Sequence, residues 1–208
     1  MNKGLLALAF AGGAVVAAGG WSLWPPSAQE PSAAALMDAV MWNKGPIGGP
    51  FALTDQDGRP RSDVDFRGKL LLVYFGYTYC TDICPTDLQA IASAIDKLGP
   101  AGDAVQPLFI TVDPEHDTPD TIKLYVALFH PRLIGLTGSA SEIKKVALAY
   151  KVYYAKTERE KKSDRLIDHS GFIFLVGRDG KYLGIFPPGT PADRMIDGIR
   201  PYLAVAQR

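Results

Sequence analysis

The chain has two cysteines, Cys80 and Cys84, both in the stretch YFGYTYCTDICPTDL, residues 74–88. Three residues separate them, one more than in the usual C-x-x-C redox pair. Three chemistries fit two nearby thiols: a disulfide switch, a reactive thiol with a helper, or two ligands of a metal site. If the segment is helical, positions i and i+4 share a face with Cβ atoms about 5–6 Å apart. A disulfide wants about 3.5–4.5 Å between Cβ atoms. A metal bonded to each sulfur at about 2.3 Å tolerates the wider gap. The spacing leans toward metal, while a looped segment would still allow a disulfide.

A metal needs a further ligand, and the chain has three histidines. His116, in VDPEHDTP, is expected in a polar, solvated loop. His130 precedes Pro131 at a helix C-terminus, where the helix dipole favours it. His169, in LIDHSGFIFLV, stands at the mouth of the strand that opens the last hairpin. Two soft thiolates and one imidazole suit Cu(I), which accepts low coordination and prefers sulfur. Zinc would want a fourth protein ligand; Asp82 offers a carboxylate, or else caps the helix that follows. The expected metal ligands are therefore Cys80, Cys84 and His169.

The elements that must position them follow from pattern. FALTDQDGRP carries an Asp57-Gly58 hairpin turn, and LLLVYFGY is a continuous apolar run, as in a central strand buried on both faces. The cysteines leave that strand and enter a helix with Pro85 in its first turn, Leu88, Ile91, Ile95 and Leu98 on one face, and Gly99-Pro100 at its end. The positive end of that helix favours thiolate over thiol. VQPLFITV is a second strand. Thr118-Pro119 opens a helix with Ile122, Tyr125, Val126 and Phe129 inward. LIGLTG is a short strand, and Ser139 with Glu142 forms a capping box for another helix. FIFLVGRDGKYLGIF is a hairpin turning at Asp179-Gly180, with Phe172, Phe174 and Tyr182 read as core. Thr190-Pro191 opens a last helix. This order predicts an α/β, thioredoxin-like sandwich with an N-terminal hairpin and a helical insertion around Tyr125. In that fold the strand at His169 packs against the cysteine loop. Where thioredoxins carry a proline, this sequence has Asp168-His169-Ser170.

Residues 1–24 hold an uncharged apolar run after Lys3, about long enough to cross a bilayer, with Trp21 and Trp24 as interfacial anchors. They read as a transmembrane anchor, with a cleaved signal peptide as the other reading. Residues 25–45 read as a tether with a short helical patch, and residues 46–208 as the folded domain. The leader lacks the Arg- and Ser-rich character of a mitochondrial transit peptide. The expectation is a bacterial inner-membrane protein facing the periplasm. Lys+Arg and Asp+Glu are both 22, a balance that argues against nucleic acid as a partner. The charged run KTEREKKSDR, residues 156–165, leads toward His169 and is expected as a mobile loop.

GYTYCTDICPTDL, ITVDPEHDTP and DHSGFIFLVGRDG together resemble the Sco/SenC family of membrane-anchored copper-handling proteins. The resemblance covers the exported domain from about Pro46 onward, and the anchor. It implies copper, as Cu(I) and also Cu(II), held by Cys80, Cys84 and His169. It implies a chaperone that supports assembly of the CuA centre of cytochrome c oxidase. The partners would be the oxidase subunit carrying that centre and another periplasmic copper chaperone. Asp113-Pro114 and Asp82 match family motifs and are expected to shape loops and face partners. Tyr79 departs from the family, which often has a small or imidazole residue there.

Other functions stay open on the residues alone. Thr81 fits a peroxiredoxin pocket, but the position of that motif's proline holds Tyr77. An exported dithiol can also exchange disulfides, reducing an oxidase subunit's cysteines without any need for His169. A thioredoxin-like binding module with inert thiols is the plainest alternative.

Overall fold

The computed structural model describes residues 32–41, 45–156 and 166–203. The expected anchor and most of the charged run at 156–165 lie outside those residues. Within the tether, Ala33–Met41 forms helix α1. No helix among the described residues is long and apolar enough to cross a membrane.

Strands β1 (Ala52–Asp55) and β2 (Pro60–Ser62) form the N-terminal hairpin. Gly58 takes φ +75° at its turn, a conformation that costs glycine little. Asp55 fastens the hairpin, accepting the N–H groups of Asp57 and Arg59 and the Nε–H of Arg61, each at 2.9 Å. Strand β3 (Leu70–Gly76) is buried along its whole length, as an unalternating apolar run requires. It feeds α2 (Ile83–Lys97), and β4 (Val105–Thr111) returns parallel to β3.

Helix α3 (Pro119–Val126) is the expected insertion. Thr118 caps it by accepting the Thr121 N–H at 3.3 Å, and Ile122 and Val126 are buried. Strand β5 (Ile134–Thr137) follows, parallel to β4. Its Gly135 admits α3 closely, since a Cβ there would collide with Ile122 Cγ2. Helix α4 (Ala140–Ala149) has the expected capping box. Ser139 accepts the Glu142 N–H at 3.3 Å, and the Glu142 carboxylate accepts the Ser139 N–H at 2.7 Å.

Two short strands, β6 (Tyr154–Lys156) and β7 (Ile167–His169), form a separate antiparallel ribbon that sequence pattern had not indicated. The final hairpin, β8 (Ile173–Val176) and β9 (Tyr182–Phe186), precedes α5 (Ala192–Leu203). The main sheet runs β2-β1-β5-β4-β3-β8-β9. Its centre is parallel and its flanks antiparallel. Phe172 and Phe174 are core, and Tyr182 packs against it, half-buried. The carboxyl ends of β3 and β4 lie side by side, Gly76 opposite Thr111. In parallel α/β sheets such an end is where ligands are held.

Candidate metal centre

Three ligand atoms meet at that end: Sγ of Cys80, Sγ of Cys84 and a ring nitrogen of His169, all within 4.8 Å of one another. Cys84 Sγ and His169 Nε2 are 3.3 Å apart although 85 residues separate them in sequence. The two cysteines do not share a helical face. Helix α2 begins at Ile83, so Cys84 lies in its first turn and Cys80 in the preceding loop. There the Cys80 N–H turns back to the Tyr77 carbonyl at 3.2 Å. Asp82 occupies the N-cap position but makes no side-chain capping bond, so the expected cap exists only by position.

The first cysteine is held by Asp117. Its buried carboxylate accepts the Thr78 N–H at 3.0 Å, the Thr78 hydroxyl at 2.6 Å and the Thr111 hydroxyl at 2.6 Å. The loop that carries Cys80 is thus tied to the end of β4. Behind the second cysteine, a Cβ on Gly76 would lie 2.9 Å from Cys84 Sγ. Only glycine leaves room for the sulfur.

His169 ends β7, clamped by the ribbon and its surroundings. Ser170 and Tyr153 exchange bonds at 2.9 Å, through the Ser170 N–H and the Tyr153 N–H. The Ile167 N–H reaches the Tyr77 hydroxyl at 3.3 Å. Tyr74 and Tyr77 meet the imidazole edge-on, with centroids at 6.3 and 5.8 Å. The Ser170 carbonyl, which can only accept, lies 3.4 Å from Nδ1. A proton on Nδ1 leaves the Nε2 lone pair aimed at the sulfurs.

The thiols are electrostatically unequal. The Cys84 side chain, as hydrogen-bond donor, holds the Cys80 thiol well below the usual range, against the opposing effect of burial; the N–H groups of Cys84 and Asp82 help. The same hydrogen bond, then burial, pushes the Cys84 thiol up. Of the two sulfurs, that of Cys80 is the more readily ionised.

Sequence reasoning missed Asp87, Tyr74 and Asp117. Asp87 is fully buried beneath the site, where burial pushes its carboxyl up and the Gly189 N–H, at 2.8 Å, opposes this. The Tyr74 hydroxyl, buried like the Asp87 carboxylate, also opposes the rise. A signal for Asp87 existed: Cys84, Asp87, Leu88, Ile91 and Ile95 make one continuous helical stripe, and a carboxylate on it must be buried.

The other two histidines do not join the site. His116 is not simply solvated, since its Nδ1 contacts both Asp113 oxygens at 2.9 Å. His130 is buried, accepts the Arg132 N–H at 3.0 Å and pairs with Asp96 at 3.4 Å. It is a packed structural residue beyond the end of α3 at Val126, not in the helix's last turn as expected. Asp113 shapes its loop as expected, its carbonyl accepting the N–H groups of His116 and Asp117. Its carboxylate is only 3% exposed, so it does not face a partner. Tyr79, beside Cys80, is exposed.

Residues 40–204 match the SCO1/SenC family, and the chain belongs to it. It is 44% identical over 166 residues to a mitochondrial SCO1 homologue of Arabidopsis thaliana, covering 79% of this chain and 49% of that one. Among solved structures it resembles Arabidopsis thaliana ScoI with copper bound (44% identity, TM-score 0.72), covering 76% of this chain and 99% of the other. It also resembles Bradyrhizobium japonicum ScoI with copper bound (42% identity, TM-score 0.69), covering 75% and 99%. The chain spans about half the length of the curated relatives it matches. The thioredoxin-like α/β fold read from the element order is the fold of these structures.

Proposed function

We propose that the chain carries copper between Cys80 Sγ, Cys84 Sγ and His169 Nε2 and delivers it for assembly of the CuA centre of cytochrome c oxidase. The carrying observation is the convergence of those three atoms within 4.8 Å from segments far apart in sequence. The donor set fits the cargo. Two thiolates at about 2.3 Å from a shared ion stand about 4 Å apart in a trigonal arrangement, a spacing compatible with three ligand atoms that lie within 4.8 Å of one another. Soft sulfur favours Cu(I), and the single imidazole also allows Cu(II). Cysteine binds metal as thiolate, so loading is coupled to release of the protons that the two sulfurs carry.

The reading extends to parts outside the described residues. Residues 1–24 anchor the chain in a bacterial inner membrane, 25–45 tether it, and 46–208 work on the periplasmic side. The exposed Tyr79 beside Cys80 lies where a docking partner would approach. The partners are the oxidase subunit that receives the metal and a periplasmic copper chaperone that supplies it.

A reductase acting through Cys80 and Cys84 would use the sulfurs alone and make no use of the imidazole, which stands 3.3 Å from one of them. The test is His169→Ala in cells lacking the wild-type protein. The expected outcome is low oxidase activity at ordinary copper, partly restored by added copper, with Cu(I) affinity lowered in a chelator competition. Full oxidase activity at limiting copper would favour the reductase and end the chaperone reading.

A further inference from the structure

Asp113, Glu115 and His116 form a second cluster whose potential ligand atoms all lie within 4.8 Å of one another. It shares no residue with the cysteine–histidine centre. Its scaffold is a tight turn after β4. The Asp113 N–H donates to Thr111 Oγ1 at 2.9 Å, and the Asp113 carbonyl accepts His116 N–H at 3.2 Å and Asp117 N–H at 2.9 Å. None of these bonds uses the side chains of Asp113, Glu115 or His116.

Two of the three donors are already together. His116 Nδ1 stands 2.9 Å from each oxygen of Asp113, whose carboxylate is 3% exposed while the ring is 36% exposed. An ion seated between them takes the place of the Nδ1 proton. That proton moves to Nε2, on the half-exposed ring, so the imidazole stays neutral. Ligands at about 2.0–2.1 Å from a tetrahedral ion are about 3.3 Å apart, so Asp113 and His116 need little movement. The third donor, Glu115, is 62% exposed and now accepts from Lys156 Nζ at 2.8 Å. An exposed pair of that kind contributes little, and Glu115 can turn inward to meet an ion.

The chemistry differs from that of the sulfur site. Two carboxylates and a neutral imidazole balance a dication, which allows it to sit against a buried carboxylate. Oxygen and imidazole donors suit borderline divalent ions rather than Cu(I), and Cu2+ binds such a set more tightly than Zn2+. We propose that Asp113, Glu115 and His116 bind one divalent transition-metal ion, Cu2+ ahead of Zn2+. The site adjoins the first one. Asp117 at the end of the same turn holds Thr78, and Lys156 lies on β6, the strand paired with the His169 strand.

The test uses the full chain in detergent with Cys80→Ser, Cys84→Ser and His169→Ala combined, which removes the first site and separates the two ideas. Titration with Cu2+ should give one bound ion whose pulsed electron paramagnetic resonance spectrum shows one imidazole nitrogen. Zn2+ should compete for it more weakly. Adding His116→Ala should weaken Cu2+ binding at least tenfold and remove the imidazole signal. Glu115→Gln, a change on an exposed side chain that leaves the turn intact, should also weaken binding. If the combined variant binds no Cu2+, or if affinity and spectrum ignore both His116→Ala and Glu115→Gln, the site does not exist and any copper is adventitious.

Discussion

Replacing Asp117 by Ala removes three hydrogen bonds at once, two to Thr78 and one to Thr111. Each is worth about 1 kcal/mol net, more where a buried donor is left unpaired. Thr111 is fully buried, so its hydroxyl hydrogen has no nearby water to turn to. The expected loss is about 3–4 kcal/mol, a large part of the roughly 5–15 kcal/mol that holds a domain together. At about 2–4 °C per kcal/mol for a domain of this size, the melting point should fall by roughly 10 °C. Function should fall with it, because the freed loop carries Cys80. Re-ordering even one residue on binding costs about 1–2 kcal/mol, which lowers Cu(I) affinity roughly tenfold. Urea unfolding of the reduced protein followed by circular dichroism measures the first effect, and chelator competition the second. Asp117→Asn, which keeps one accepting oxygen, should fall between the two. A loss under about 1 kcal/mol with wild-type Cu(I) affinity would show that Asp117 does not hold the cysteine loop.

Two further outcomes follow from the charge states. Because Cys80 is held well below the usual thiol range while Cys84 is pushed up and fully buried, iodoacetamide at about pH 6, far under the ordinary thiol value near 8.5, should label Cys80 first. Mass spectrometry showing equal labelling, or Cys84 ahead, would contradict the assigned asymmetry. Asp87 has its carboxyl raised by burial, so its stabilising neutral form is lost as pH rises through the folded-state value. Asp87→Asn cannot ionise and keeps an oxygen for the Gly189 N–H. It should melt above the wild type at about pH 8, with the gap closing as pH falls toward the ordinary carboxyl value of about 3.9. A gap that does not change with pH would mean that the carboxyl's charge is immaterial.

Local pattern alone determined most of the scaffold. The apolar run of β3, the stripe of α2, the Ser139–Glu142 cap and the Asp57-Gly58 turn are short-range features, and each appears where its residues demand it. The two cysteines were equally plain, since thiols four positions apart after a buried strand announce local chemistry. Singling out His169 from three histidines needed the expected fold, because its partners lie 85 residues away. Tertiary structure decided the rest. It put Cys80 outside the helix, raised the β6–β7 ribbon that clamps His169, and buried Asp117, Asp87 and Asp113. A carboxylate's place depends on which distant donors can satisfy it once water is excluded, as Thr78 and Thr111 do for Asp117. Periodicity reports which side of an element is apolar, but not which polar group from another element will meet it there.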